Sequence, residues 1–259
     1  MKQTILLASA SQANLIPLLE STEGVLAPIN QKYCKVFFIE QLEKAHVSSG
    51  AQTSKKVSES LDSQVEYEMG VEEYTKSHGI EVETLKKVET ETLISESSVA
   101  DLMVIDLQSA QHKSAPDWLN YLIEFSACPL LLLPGNVDVE CLVAAHDASQ
   151  ETVKMMKGFL KLFNEDLRNL PLSLLMSDPE SELEMEREKV FIKYLKVYFQ
   201  NIGAQHLYDE AFPSLFRYVQ NECDKPMLIV NTDLGRQILE STEQFETQIL
   251  EHPIFIFKD

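Results

Sequence analysis

The run "LVAAHDAS", residues 142 to 149, passes from apolar residues to an acid, Asp147, and a hydroxyl, Ser149. The run "ILLASASQ", residues 5 to 12, makes the same passage with Ala10 where the other has its acid. A carboxylate or hydroxyl at such a turn caps the following helix by accepting its first N–H bonds, or else it faces a ligand. His146 beside Asp147 would make a general base with an orienting acid if the two side chains met. Neighbours in an extended strand point to opposite faces, so no shared site is expected of them. His46, His78, His112, His206 and His252 are scattered, and no nucleophile elbow, zincin helix or P-loop occurs. The acidic stretch Glu180 to Glu188 reads as the solvated face and first turn of a helix, where carboxylates suit the dipole. Neither a catalytic group nor a metal ligand is expected.

Both runs close apolar strands, and the elements around them alternate. Strands at 4 to 9, 35 to 40 and from Ile80 are separated by amphipathic helices over about Ala13 to Asn30 and up to Gly79. A short helix leads into the strand Leu102 to Ile105. The helix "DWLNYLIEFSA", with Trp118 and Tyr121 on its buried stripe, leads into "LLLL" at 130 to 133. From Cys141 the order begins again, with "CLVAA", a helix over 153 to 163, a strand at 171 to 176 and a long helix ending at Gly203. The strand "AQHLYD", the helix "PSLFRYVQNE", the strand "MLIV", a helix near 237 to 250 and "IFIF" at 254 to 257 complete it. Alternation predicts an α/β fold with parallel sheets covered on both faces, and the repeated order predicts two domains, 1–137 and 138–259. "LLLL" and "IFIF" would each lie at a sheet edge with neither charge nor internal proline for protection. Two similar domains about an approximate two-fold axis would set these edges against each other.

The 259 residues suffice for two cores, and 22 basic against 41 acidic residues give a formal charge of −19. That charge repels nucleic acid and anionic membranes, both of which need clustered Lys and Arg. The opening "MKQTILLASASQA" has too few apolar residues for an export signal and reads as a first strand. No stretch approaches the length of a membrane span. Cys34, Cys128, Cys141 and Cys223 show no paired spacing and read as buried reduced thiols, which points to the cytoplasm.

The segments "LVAAHDAS", "VADLMVIDL", "KPMLIVNTD", "ACPLLLLP" and "EHPIFIF", in order and spacing, resemble the universal stress protein family in tandem form. The resemblance implies two five-stranded parallel sheets of order 3-2-1-4-5, of the adenine nucleotide alpha hydrolase-like kind, packed as a pseudo-dimer. It places a cleft between strands 1 and 4 of each, where strand order reverses. Many members hold ATP there, with an acid after strand 1 facing the adenosine and a glycine pattern, G-x2-G-x9-G-S/T, wrapping the phosphates. Glycines let the backbone approach, and amides, a hydroxyl and a helix N-terminus bind the anion. The first repeat has no glycine from Asp101 to Pro134, carries Asp106 where a phosphate would lie and Ala10 for the acid. The second keeps Asp147, Ser149 and Thr232-x-x-Gly235, but Phe245 and Glu246 stand at the last glycine position. Loss of several charge-assisted bonds to phosphate, at ~1.5 to 3 kcal/mol each, would weaken binding about a thousandfold. The resemblance implies a cytoplasmic, non-enzymatic stress protein without cofactor, acting in stress adaptation through a protein partner or small ligand, with a further homodimer open. The alternative is a nucleotide sensor holding ATP or AMP in repeat 2 only, through Asp147, Ser149, Thr232 and Gly235.

Overall fold

The computed structural model describes residues 3–26, 32–39, 61–85, 89–107, 117–135, 137–146, 149–179, 181–206, 211–240 and 247–258. In the first half the strands are β1 (Gln3–Ser9), β2 (Lys32–Phe38), β3 (Ile80–Thr84), β4 (Leu102–Asp106) and β5 (Leu130–Leu133). Between them run α1 (Leu15–Val25), α2 (Leu61–His78), α3 (Thr90–Ser97) and α4 (Asp117–Phe125). The second half has β6 (Cys141–His146), β7 (Leu172–Met176), β8 (Ile202–His206), β9 (Pro226–Asn231) and β10 (Ile254–Phe257). Its helices are α5 (Gln150–Leu162), α6 (Glu182–Leu195), α7 (Ala211–Glu222) and α8 (Thr232–Glu240).

Within each half the strands are parallel and lie in the expected order, β3-β2-β1-β4-β5 and β8-β7-β6-β9-β10. The two sets are not separate sheets. β5 and β10 pair antiparallel, Leu130 with Ile256, Leu131 with Phe255 and Leu132 with Ile254, which makes one continuous ten-stranded sheet. The expected meeting of the two apolar edges is therefore realised by backbone pairing rather than by contact between two closed domains. The physical reason is that an exposed edge strand leaves a row of N–H and C=O groups unpaired, and the other half supplies the matching row. Leu131 opposite Phe255 is the centre of an approximate two-fold relation, since its neighbours exchange on either side.

The core follows the faces of the sheet instead of the halves. Helices that cross over with a right-handed turn lie on one face when the strands step one way and on the other when they step back. So α1, α2, α5 and α6 cover one face, where Leu7, Leu19, Phe159, Phe191 and Phe255 belong to a single buried cluster drawn from both halves. The opposite face carries α3, α4, α7 and α8 over a second cluster that includes Leu6, Trp118, Leu215 and Ile256. On the first face the Phe255 ring meets those of Phe163 and Phe159 at centroid distances of 5.0 and 6.1 Å, across the seam. Leu26 forms an antiparallel bridge to Phe163, and the Asn164 amide donates to the Val25 carbonyl at 2.9 Å. At the end of β10, Lys258 donates to the carbonyls of Ile123 and Glu124, at 2.8 and 2.5 Å, and so caps α4 of the other half.

Several expectations from the sequence need correction. Helix α6 ends at Leu195, not Gly203, because Gly203 lies inside β8 paired with Ser173. The final helix starts at Thr232 instead of near residue 237, since Asn231 caps it directly from the strand end, its Oδ1 accepting from the Leu234 amide at 3.0 Å. Trp118 is buried, but Tyr121 is exposed and rests against Phe125. Cys34 and Cys128 are buried free thiols, whereas Cys141 and Cys223 form a disulfide across the entry points of β6 and β9. These two are 82 residues apart, and only the adjacency of β6 and β9 brings them together. The pairing removes the cysteine argument for a reducing compartment.

Candidate functional site

In a parallel sheet, ligands are expected beyond the carboxyl ends of the strands at the point of order reversal, which here lies between β1 and β4 and between β6 and β9. In the first half that place is occupied by the protein's own carboxylate. Asp106 ends β4, is only 2% exposed, and its Oδ2 accepts from the Ala10 amide at 3.3 Å. Ser9 donates its hydroxyl to the Ser11 carbonyl at 2.8 Å, and Ser11 to Asn14 at 2.6 Å, so the turn after β1 is satisfied internally. A phosphate entering here would meet the buried side chain of Asp106 and find the turn amide already bonded.

In the second half Asp147 falls outside the described residues. Ser149 caps α5, its Oγ accepting from the Thr152 amide at 3.2 Å. Thr232 and Gly235 are placed on α8, on the opposite face of the sheet from α5. The Thr232 hydroxyl donates to the Phe257 carbonyl at 3.1 Å. Gly235 is buried against β10, and a Cβ built there would lie 2.9 Å from Ile256 Cδ1. Its missing side chain thus serves the close approach of helix to strand. Among the described residues, no hydrogen bond joins Ser149 to Thr232 or Gly235 in one site.

The sequence reading missed a groove between α5 and α6. It has a volume of about 480 Å³ and is walled by Val153, Val190, Phe191 and Tyr194, with Ser149 and Gln150 at the start of α5 and Lys157, Glu186 and Arg187 along its edges. Gln150, Val153 and Lys157 follow one another at helical spacing, a pattern that was legible but reads alone as an ordinary solvated face. Lys157 Nζ lies 5.9 Å from the Tyr194 ring centroid, and Glu186 pairs with Lys189 at 2.7 Å. Among the described residues neither Lys157 nor Arg187 has a carboxylate partner. A wider hollow of about 630 Å³ lies at the seam beside α1, where Ser21 donates to the Gly135 carbonyl at 3.0 Å. Its rim carries Glu20 and Asp138, the latter paired with Lys225 at 2.6 Å.

Nothing in the free thiols suggests a nucleophile. Burial pushes both Cys34 and Cys128 up to about 12, far from the thiolate form at neutral pH. Burial also raises the Glu188 carboxyl on the inner side of α6 and lowers the His252 imidazole before β10. Among the described residues no group of three or more His, Cys, Asp or Glu side chains is arranged to hold a metal ion. None of the described helices is long and apolar enough to cross a membrane.

No family model and no curated protein matches the sequence. Solved structures do match over nearly the whole length. A universal stress protein from Archaeoglobus fulgidus is similar with a TM-score of 0.58 at 12% identity, over 98% of both chains. A functionally unknown protein from Pseudomonas aeruginosa is similar with a TM-score of 0.57 at 13% identity, over 99% of this chain and 92% of its own. Another protein of that species, described as a universal stress protein, has a TM-score of 0.57 at 13% identity over 99% of this chain and 93% of its own. With its strand order and the agreement in extent, the chain carries the fold of the universal stress proteins.

Proposed function

We propose that the chain is a tandem universal stress protein of the kind that does not hold ATP, a non-enzymatic factor in stress adaptation that works through a protein partner or a small ligand. The observation that carries this reading is Asp106, whose buried carboxylate takes the Ala10 amide in the cleft of the first half. The second half supports it by the same logic, because Asn231, Thr232 and Gly235 serve the capping and packing of α8. A cytoplasmic location belongs to the same reading and now rests on the fold likeness alone. Heating the purified chain with a panel of adenine and guanine nucleotides tests it. A ligand at a hundred times its Kd stabilises by about 2.7 kcal/mol, so a nucleotide site would raise the melting temperature clearly. No shift is expected. A shift with ATP or AMP that Asp147→Ala abolishes would instead establish the sensor reading, with the nucleotide in the second half.

A further inference from the structure

We infer that the groove between α5 and α6 is a binding site for a small amphipathic anion, a flat apolar body that carries a carboxylate, sulfonate or phosphate group. The inference deepens the small-ligand part of the proposed function and rests on it. Its volume of about 480 Å³ falls within the range of small-molecule pockets. The wall is apolar and aromatic, with Phe191 buried at 4% exposure and Val190 beside it 64% exposed. Two cations, Lys157 and Arg187, edge this surface without carboxylate partners among the described residues, in a chain of formal charge −19. The one carboxylate on the same edge, Glu186, is paired with Lys189 at 2.7 Å, so the two cations remain to meet an anion beside an apolar wall. Ser149 and Gln150, at the start of α5, lie at the same groove.

The first half supplies an internal control. Counting from paired strand positions, Ile16 and Glu20 of α1 correspond to Val153 and Lys157 of α5, and Gly70 and Tyr74 of α2 to Val190 and Tyr194 of α6. The ring pairs agree with this count, Tyr74 with His78 and Tyr194 with Tyr198. At Gly70 a Cβ would stand 3.4 Å from Ile16 Cδ1, at van der Waals contact, so the two helices touch there. Tyr74 donates to Glu23 at 2.7 Å, and Glu20 stands in place of the cation. At this fold position α1 and α2 thus touch at Gly70, with the acid Glu20 turned to the rim of the hollow beside α1, whereas α5 and α6 leave a groove edged by Lys157 and Arg187.

The probe is 8-anilinonaphthalene-1-sulfonate, an aromatic sulfonate whose fluorescence rises on entering an apolar site, titrated into the full chain. One saturable site is expected, displaced by decanoate. Lys157→Glu and Arg187→Glu, both surface changes, should each weaken the probe at least tenfold, and Val153→Trp should abolish binding by filling the groove. Glu20→Lys, at the equivalent position of the first half, should leave the affinity of that site unchanged. Unaltered affinity in both charge variants, or absence of a saturable site in the parent chain, overturns the inference whether or not Val153→Trp folds. Because the proposed function is tested by nucleotides and the groove by this probe, failure of one is distinguishable from failure of the other.

Discussion

Where the first half brings α1 and α2 together at Gly70 and Ile16, the second half holds α5 and α6 apart around Val153 and Val190. The strand-end clefts differ in the same spirit: Asp106 bonds the Ala10 amide in one, while Asn231 caps α8 in the other. A third contrast lies at the opposite end of the sheet. The start of β1 is fastened by the Asp101 carboxylate, which accepts from the Thr4 amide at 3.0 Å, and the start of β6 by the Cys141–Cys223 disulfide. What the two halves share is therefore the sheet and its register, and what they vary is the chemistry at each strand end and between the helices. Two halves with one strand order thus agree where the backbone and core demand it and differ elsewhere.

The strongest test addresses what the halves have in common. Leu131→Lys or Ile256→Lys places an ammonium group in a seam where the native residues are 0% exposed. A buried unpaired charge costs about 4 kcal/mol or more, so the expected outcome is insoluble or unfolded protein, read by solubility and by thermal melting. Level or improved solubility in both variants would mean that β5 and β10 do not pair in solution.

The fastenings come next. Reduction of the disulfide, or Cys223→Ala, should lower stability by about 2–4 kcal/mol, measured by denaturant melts with and without reductant. Asp101→Ala, which removes the corresponding fastening of the first half, should cost about 1 kcal/mol. Equal effects would show that the two ends are held equally and that the covalent link adds nothing.

Asp106→Ala leaves the buried Ala10 amide without its carboxylate and should destabilise by about 1–3 kcal/mol. Asn231→Ala, which removes a helix cap, should cost about 1 kcal/mol. A neutral result for Asp106→Ala in chemical denaturation would mean that the first cleft is not closed by this residue. The smallest contrast is in the helix pairs. Gly70→Val forces its new methyls toward Ile16 and should cost about 1 kcal/mol, whereas Val190→Ala at an exposed site should stay within about 0.5 kcal/mol. If the two changes proved alike in thermal melts, the closed and open arrangements would not be distinct in solution.

Much of the fold was legible because strand and helix leave different periods in the chain. The apolar runs at Leu102, Leu130, Leu142 and Ile254 could only be buried strands in an alternating order, and the alternation sets parallel pairing. The site was less legible. Thr232 and Gly235 fit a phosphate-binding spacing, but the same residues also satisfy a capped helix packed on Ile256, and a sequence pattern does not distinguish a glycine needed for a ligand from one needed for a neighbour. The groove went unseen since its walls come from α5 and α6, some thirty residues apart, where each helix alone presents a mixed surface.

By itself the sequence determined the strands, their alternation with helices in each half and the apolar character of the two last strands, because these depend on local periodicity and composition. Tertiary structure alone decided that those strands join into one sheet, that the core divides by face and not by half, and that Cys141 finds Cys223. It alone decided, too, that Asp106 closes one cleft while Lys157 and Arg187 edge an open groove. Each of these outcomes depends on a distance between residues far apart in the chain, and such distances are fixed only when the whole sheet has formed.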